Sequence, residues 1–174
     1  MRKKRMVLAA LSLTLFLPLW GCYESDFPLG PPTAGKIDPK IVGKWRCVQG
    51  DTLQNKAILF TVSPFDEKQY SISVSMEGEK PISYRAYSSI VKNTTLLNLQ
   101  ELKPRIEPTG QKWAFARYTF LKPDILEVEI VTRMPFKGID STPEAVRKVV
   151  ERMIESPELY EDFCVCTRIH EKER

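Results

Sequence analysis

Short stretches in which apolar and polar residues alternate recur along most of this chain, and they constrain its fold more than any other feature. In the clearest stretch, Tyr70, Ile72, Val74 and Met76 alternate with three serines. A period of two places the apolar side chains on one face of a strand and the polar ones on the other, as in an antiparallel sheet with one buried face. Similar runs recur at intervals of about eight to twelve residues, which is typical of an all-β sandwich or barrel.

Eight strands are predicted, each bounded by turn-forming residues. The first begins near Lys44, and the others cover residues 58–62, 70–76, 82–91, 96–102, 112–121, 125–133 and 163–169. Eight sequential strands with short connections can close into an up-and-down barrel, which removes the exposed edges of an open sheet. We therefore predict a mainly β fold, an eight-stranded antiparallel up-and-down barrel.

One amphipathic helix is predicted before the last strand. Thr142 is a good N-cap, Pro143 suits the first helical position, and Glu144 places negative charge near the positive end of the helix dipole. One stripe holds the apolar residues Val146, Val149, Val150, Met153 and Ile154. The stripe is expected to pack on the sheet. A helix lying on a membrane surface is the alternative, but its balanced polar face offers no attraction to anionic lipid.

The first 21 residues have the composition of an export signal. Basic residues at positions 2–5 precede an apolar run at 6–19, which is shorter than the roughly 20 residues of a membrane-spanning helix. The ending Leu19-Trp20-Gly21-Cys22 resembles the lipobox of bacterial lipoproteins. The resemblance implies that the Cys22 thiol receives a diacylglycerol and that the leader is removed. The alternatives are an ordinary secretory signal, with Cys22 merely nearby, and an uncleaved anchor.

The segment 22–40 is predicted to be a solvated tether between the lipidated Cys22 and a barrel domain at 41–170, which a charged tail at 171–174 follows. Four prolines and two glycines lie in this segment, a composition that favours extended, solvated backbone. In Gram-negative lipoproteins an Asp after the Cys commonly retains the protein at the inner membrane, and Tyr23 stands here instead. The resemblance therefore implies an outer-membrane lipoprotein that faces the periplasm.

Charge excludes one class of partner. The leader holds four of the 26 basic residues and none of the 22 acidic ones, so the rest of the chain is balanced. Binding to nucleic acid would need a basic stripe that displaces counterions from phosphates. No nucleic-acid partner is expected.

The start of the first strand carries a second resemblance. Gly43-Lys44-Trp45 is similar to the Gly-x-Trp signature of the lipocalin and calycin barrels, in which the Trp plugs one end of the barrel. Members of that family also carry a late Arg that stacks on the Trp, and Arg168 matches it in the last strand. The resemblance implies a lipocalin-like barrel with Trp45 and Arg168 as its plug.

This resemblance also implies a disulfide pairing. If Trp45 lies opposite Arg168 on paired first and last strands, Cys47 lies opposite Cys166. Disulfides persist in exported compartments, so a Cys47–Cys166 bridge is predicted. A bridge between Cys47 and Cys164 and three unpaired buried thiols are the alternatives.

The sequence contains no recognisable catalytic motif, and we predict neither an enzyme, a cofactor nor a metal site. His170 is the single histidine, which makes a Ser-His-acid constellation improbable and leaves a zinc site short of ligands. Glu127 and Glu129 could form a catalytic carboxylate pair, but solvated charge is the simpler interpretation.

Apolar ligand binding is the leading functional hypothesis. Five residues are candidates for lining an apolar cavity: Trp113, Phe115, Tyr70, Ile72 and Val74. They could enclose a fatty acid or lipid fragment within the barrel or at its mouth. The alternative is a structural or assembly lipoprotein of the cell envelope, with a packed barrel that docks a protein partner.

Overall fold

The computed structural model of the protein describes residues 22–32, 36–49, 57–102 and 112–170. The leader at 1–21 and the charged tail at 171–174 lie outside the described residues. Within them, eight strands follow one another: β1 Gly43–Val48, β2 Ile58–Pro64, β3 Gln69–Met76, β4 Ile82–Val91, β5 Thr94–Glu101, β6 Trp113–Lys122, β7 Ile125–Val131 and β8 Tyr160–Ile169. Each strand pairs with its neighbour in sequence, and β1 pairs with β8.

The antiparallel pairing of β1 with β8 closes the barrel. Trp45 lies opposite Arg168, and Cys47 lies opposite Cys166. This register confirms the prediction of an eight-stranded antiparallel closed barrel. Because β1 and β8 lie at opposite ends of the domain sequence, closure joins its beginning to its end.

The chain between β7 and β8 folds into the helix α1, Pro143–Met153, flanked by the short 3-10 turns Met134–Phe136 and Pro157–Leu159. The Thr142 hydroxyl oxygen accepts a hydrogen bond from the Ala145 amide at 3.2 Å, so the predicted N-cap is formed. Val146, Val149 and Val150 are buried. The position of the helix before the last strand and its packing on the sheet are confirmed.

Apolar side chains form two separate cores. The inner core fills the barrel, and its buried members are Ile41, Trp45, Cys47, Ile58, Val62, Tyr70, Ile72, Ala86, Leu97, Leu126, Cys164 and Cys166. The outer core lies between the outside of the sheet and α1, and its buried members are Leu29, Val91, Leu96, Phe115, Val131, Phe136, Val146, Val149, Val150, Ile154, Leu159 and Tyr160. Each fully buried aliphatic side chain stabilises the fold by about 1.5–3 kcal/mol. Part of the sheet is therefore covered on both faces.

The described start of the chain, residues 22–32, lies against the barrel. Ser25 exchanges backbone hydrogen bonds with Trp113 at 2.7 and 2.8 Å, and the Tyr23 amide donates to the Val131 carbonyl at 2.9 Å. Leu29 is buried in the outer core. This differs from the solvated segment that its proline and glycine content predicted. Such a composition prevents a segment from forming its own core, but it leaves single side chains free to pack on a neighbouring surface.

Polar side chains hold this segment in place. The Leu29 amide donates to the Asn98 side-chain oxygen at 2.8 Å, and Asn98 is completely buried. The Tyr87 hydroxyl donates to the Gly30 carbonyl at 2.7 Å, and the Arg147 guanidinium donates to the Leu29 carbonyl at 2.8 Å. The segment is thus bonded both to the sheet and to α1.

Candidate functional site

The two ends of the barrel differ in how their side chains are packed. We call the end that carries the β2–β3, β4–β5 and β6–β7 turns the plugged end, because Trp45 lies there. The opposite end, at the finish of β1, β3, β5 and β7, is called the far end. Inward-facing residues on each strand run from one end to the other, so burial can be compared along single strands.

Trp45 and Arg168 form the plug. Trp45 is completely buried, and its indole N–H donates to the Ile41 carbonyl at 2.9 Å. The Arg168 guanidinium carbon lies 4.1 Å from the centre of the Trp45 ring, within the range of a cation–π interaction. Arg168 also donates to the carbonyls of Val42, at 2.9 Å, and Lys40. These bonds tie the chain that enters β1 to the strand that ends the barrel.

Gly43 is required by this arrangement. Its φ of 140° lies in a region that residues with a side chain rarely adopt, and a Cβ at this position would lie 2.7 Å from an Arg168 nitrogen. The glycine of the Gly-x-Trp pattern therefore makes room for the arginine that covers the tryptophan.

Two tyrosines and an aspartate complete the plugged end. The Tyr118 hydroxyl donates to an Asp38 carboxylate oxygen at 3.1 Å, and the Asp38 amide donates to the Tyr70 hydroxyl at 2.5 Å. Burial, followed by the negative charge of Asp38, raises the pKa of Tyr118 above its usual value. Both phenols therefore stay neutral at physiological pH.

Three sulfur atoms lie together inside the barrel. Cys47 and Cys166 form a disulfide, which confirms the predicted pairing and not its alternatives. The free Cys164 thiol lies 3.6 Å from the Cys166 sulfur, and burial raises its pKa to about 12. The three sulfurs lie within 4.8 Å of one another, but the disulfide leaves Cys164 as the one thiol among them that could ligate a metal ion.

On some strands the inward-facing residues are more exposed toward the far end. On β3 Tyr70 and Ile72 are buried and Val74 is half-buried, whereas on β2 the half-buried Phe60 lies between the buried Val62 and Ile58.

The next two strands repeat this gradient. Ala86 and Leu97 are buried, while Tyr84 and Leu99, which lie nearer the far end, are half-buried. The far end thus presents apolar side chains that the described residues cover only in part.

The predicted cavity lining divides between the two cores. Tyr70, Ile72 and Val74 belong to the inner core. Phe115 is buried in the outer core, and Trp113 packs against it, so these two side chains lie on the outside of the sheet. Alternation shows which residues share a face of a strand, but it does not show which face is inside when both are covered.

The start of the described chain reaches the far end between two strands. The pairing of β6 with β7 begins at Ala116 and Ile130, and Cys22 and Ser25 bridge to Thr132 and Trp113 beyond that point. The chain therefore fills the gap where the two strands separate.

Cys22 and Glu24 flank Tyr23 at the start of this segment. Burial raises the pKa of Tyr84 on β4, and the negative charge of Glu101 raises it further. Burial, followed by the charges of Glu24 and Glu161, raises the pKa of the Cys22 thiol to about 11. Tyr23 alternates with them and stacks on Phe136 in the outer core, with ring centres 3.6 Å apart.

An open groove of about 480 Å³ runs along the outside of the barrel to the far-end rim at Met76 and Glu77, and its other lining residues are Arg46, Ala57, Leu59, Ser75 and Ile169. Val48 and Val165 lie opposite each other on the neighbouring strands and are 45% and 43% exposed. This surface lies away from the outer core and was not recognised in the sequence, because isolated exposed apolar residues are common on proteins.

The Glu129 carboxylate on β7 is paired with an arginine. Glu129 accepts hydrogen bonds from the Arg117 guanidinium, one of them at 2.7 Å, and that guanidinium lies 3.7 Å from the centre of the Tyr160 ring. The hydrogen bond from Arg117 to Glu129 raises the pKa of Arg117. Glu129 was expected to be solvated, and its side chain is instead only 12% exposed. It has a structural partner on the outside of the sheet.

Comparisons of the chain with protein-family models, with curated proteins and with solved structures found no match. In the part of the chain that the structure describes, no helix is both long and apolar enough to cross a bilayer.

Proposed function

We propose that this is an exported, lipid-anchored protein of the cell envelope that binds an apolar chain, such as a fatty acyl group, at the far end of its barrel. Binding requires no catalytic group, and the proposed role is not enzymatic. One observation carries the proposal. On β3, β4 and β5 the inward-facing residues Ile72, Ala86 and Leu97 are buried, whereas Val74, Tyr84 and Leu99, which lie nearer the far end, are half-buried.

The far-end side chains have the chemistry of an acyl site. Phe60, Val74, Met76 and Leu99 face inward and are half-buried. A ligand that covers them gains about 25 cal/mol for each Å² of apolar surface removed from water. The packed plug and the disulfide below fix the walls of the site, so little ordering energy is lost on binding. A shallow site for one apolar chain at the mouth fits this arrangement better than a deep enclosed cavity.

The cellular location is part of the same proposal. The basic and apolar leader, followed by the lipobox-like ending at Cys22, supports export and attachment through lipid on that cysteine. The absence of Asp after the cysteine supports the outer membrane, with the barrel in the periplasm. The lipocalin-like plug of Trp45 and Arg168 supports a ligand carrier, because it closes one end of the barrel and leaves the other end for a ligand.

Mass spectrometry of lipids that co-purify with the protein, followed by displacement of a fluorescent fatty acid, tests this function. A stoichiometric lipid is expected, and Leu99→Gln is expected to weaken fatty-acid binding about tenfold by placing an amide in the apolar site. Ile90→Gln is the matched control, since Ile90 is 53% exposed. If no lipid co-purifies and the fluorescent fatty acid does not bind, acyl binding is wrong. If Leu99→Gln binds the fatty acid like the parent protein, the far end is not the binding site.

A second candidate, docking of a protein partner, has its own observation. The groove beside Leu59 and the exposed pair Val48 and Val165 form an apolar surface on the outside of the barrel. Leu59→Asp should abolish chemical cross-linking to an envelope protein in intact cells while leaving fatty-acid binding unchanged. Unchanged cross-linking together with a loss of fatty-acid binding would favour the acyl site alone.

A further inference from the structure

We infer that, in the anchored protein, the far end of the barrel faces the membrane at close range. The inference rests on the proposed lipidation of Cys22 and adds an orientation to it. Two observations support it. Cys22 is followed directly by residues that are hydrogen-bonded to the barrel, and exposed apolar side chains surround that point.

The first observation is the lack of a free tether. A solvated segment of 18 residues could extend about 60 Å, which would let the domain turn freely above the bilayer. In the structure, however, the residue after Cys22 is hydrogen-bonded to the barrel. The Tyr23 amide donates to the Val131 carbonyl at 2.9 Å, and Ser25 pairs with Trp113. One residue spans at most about 3.6 Å. Lipid on Cys22 would therefore begin at the rim of the far end.

The second observation concerns the side chains beside that rim. Leu102 follows β5 and is 46% exposed, and Met134 follows β7 and is 75% exposed. Trp113 is half-buried there, and such an amphipathic ring favours the boundary between lipid and water. These groups can enter the headgroup region once the anchor brings them to it.

The described charges at this end indicate the kind of membrane that it fits. Exposed acidic residues outnumber exposed basic ones there: Glu24, Glu77, Glu79, Glu101 and Glu161 against Lys80, Lys112 and Arg133. Acidic side chains are repelled by anionic lipid, so the attraction comes from the anchor and from apolar contact rather than from surface charge. The partner is therefore a bilayer surface rich in zwitterionic lipid.

Tryptophan fluorescence can test the orientation, because removal of the leader leaves Trp45 at the plugged end and Trp113 at the far end. The processed, full-length protein is reconstituted in phosphatidylcholine vesicles that contain headgroup-proximal spin-labelled lipid. Trp45→Phe leaves Trp113 as the reporter, and Trp113→Phe leaves Trp45. Quenching of Trp113 is expected to exceed that of Trp45 roughly twofold or more, since interfacial rings lie within reach of the label. Equal quenching, or stronger quenching of Trp45, overturns the inference.

Hydrogen exchange of the unsubstituted protein provides a second measurement that needs no variant of the plug. Vesicle attachment is expected to slow exchange in the far-end turn 77–81 and to leave the plugged-end turn 122–124 unchanged. The reverse pattern would overturn the orientation.

Mass analysis of the N-terminal peptide separates the two proposals. An unmodified Cys22 overturns both the anchor and the orientation. A diacylated Cys22 with equal quenching of the two tryptophans overturns the orientation alone.

Discussion

The plugged end and the far end are built from the same eight strands, yet they differ in how completely the side chains discussed above are buried. At the plugged end, Trp45 and Tyr70 are completely buried and their polar atoms are hydrogen-bonded. At the far end, Phe60, Met76 and Leu99 face inward and stay half-buried. The comparison teaches that strand alternation alone does not decide packing. Trp45 and Tyr70 are covered completely, whereas Phe60, Met76 and Leu99 keep part of their apolar surface exposed.

Trp45→Ala is expected to have the largest effect. It tests whether the plugged end contributes more to the free energy of unfolding than the far end does. Truncation of a completely buried indole should lower the free energy of unfolding by about 3–5 kcal/mol, because it removes packing and leaves a cavity. Urea denaturation measures the loss. Trp113→Ala is the control at the far end, and its half-buried ring should cost less. Equal losses would show that the two ends contribute alike.

Removal of the disulfide tests how far closure depends on the covalent link between β1 and β8. The double variant Cys47→Ala and Cys166→Ala should lose about 2–5 kcal/mol, because the bridge closes a loop with a sequence separation of 119 residues. Cys164→Ala keeps the bridge and should lose only about 1 kcal/mol, as expected for a small buried side chain. Thermal unfolding under non-reducing conditions compares the two. A smaller loss in the double variant than in Cys164→Ala would contradict this account.

The strands and the closure could be predicted from the sequence, since both depend on local patterns and on pairing by register. The alternation in β3 indicated a strand, and the opposition of Trp45 to Arg168 placed Cys47 against Cys166. The outer core could not be predicted in the same way. In β5, Leu96, Leu97 and Asn98 are consecutive and all buried, so a period of two carries no information about which face is inside.

The attachment of the N-terminal segment was also missed, for a related reason. It depends on Asn98, a polar residue whose burial becomes favourable only when a separate segment supplies the hydrogen-bond donor. A list of turn-forming and strand-forming residues contains no sign of such a partner. The sequence predicted an apolar cavity without locating it at one end of the barrel. The exposure of individual inward-facing residues arises from tertiary packing, which strand alternation does not reveal.

Asn98→Ala tests this attachment. Because the segment begins at the far end, the change also tests whether that end opens independently of the plugged end. The change leaves the Leu29 amide without its acceptor in a buried position, which should cost about 1–3 kcal/mol. Hydrogen exchange of residues 25–30 should accelerate, while exchange of β1 and β8 near the plug should stay slow. Uniform acceleration across the barrel would show that the segment and the plug unfold together.

Tyr87→Phe is expected to have the smallest effect and adds a pH signature. Loss of the hydrogen bond to the Gly30 carbonyl should cost about 0.5–1.5 kcal/mol at neutral pH. Burial raises the pKa of Tyr87 to about 12 in the folded protein, whereas an unfolded tyrosine titrates near 10. The unfolded state therefore releases its proton first, and the stabilising effect, fully present below pH 10, is lost as the pH rises toward 12.

Urea denaturation at several alkaline pH values measures this signature. The free energy of unfolding should fall less steeply with pH in the phenylalanine variant than in the parent protein. Tyr118→Phe is the matched change at the plugged end, where burial and Asp38 also raise the phenol pKa. A variant of Tyr87 with an unchanged slope between pH 10 and 12 would show that its hydroxyl is accessible to water. The N-terminal segment would then be detached from the sheet in solution, and the short connection between Cys22 and the far end would be lost with it.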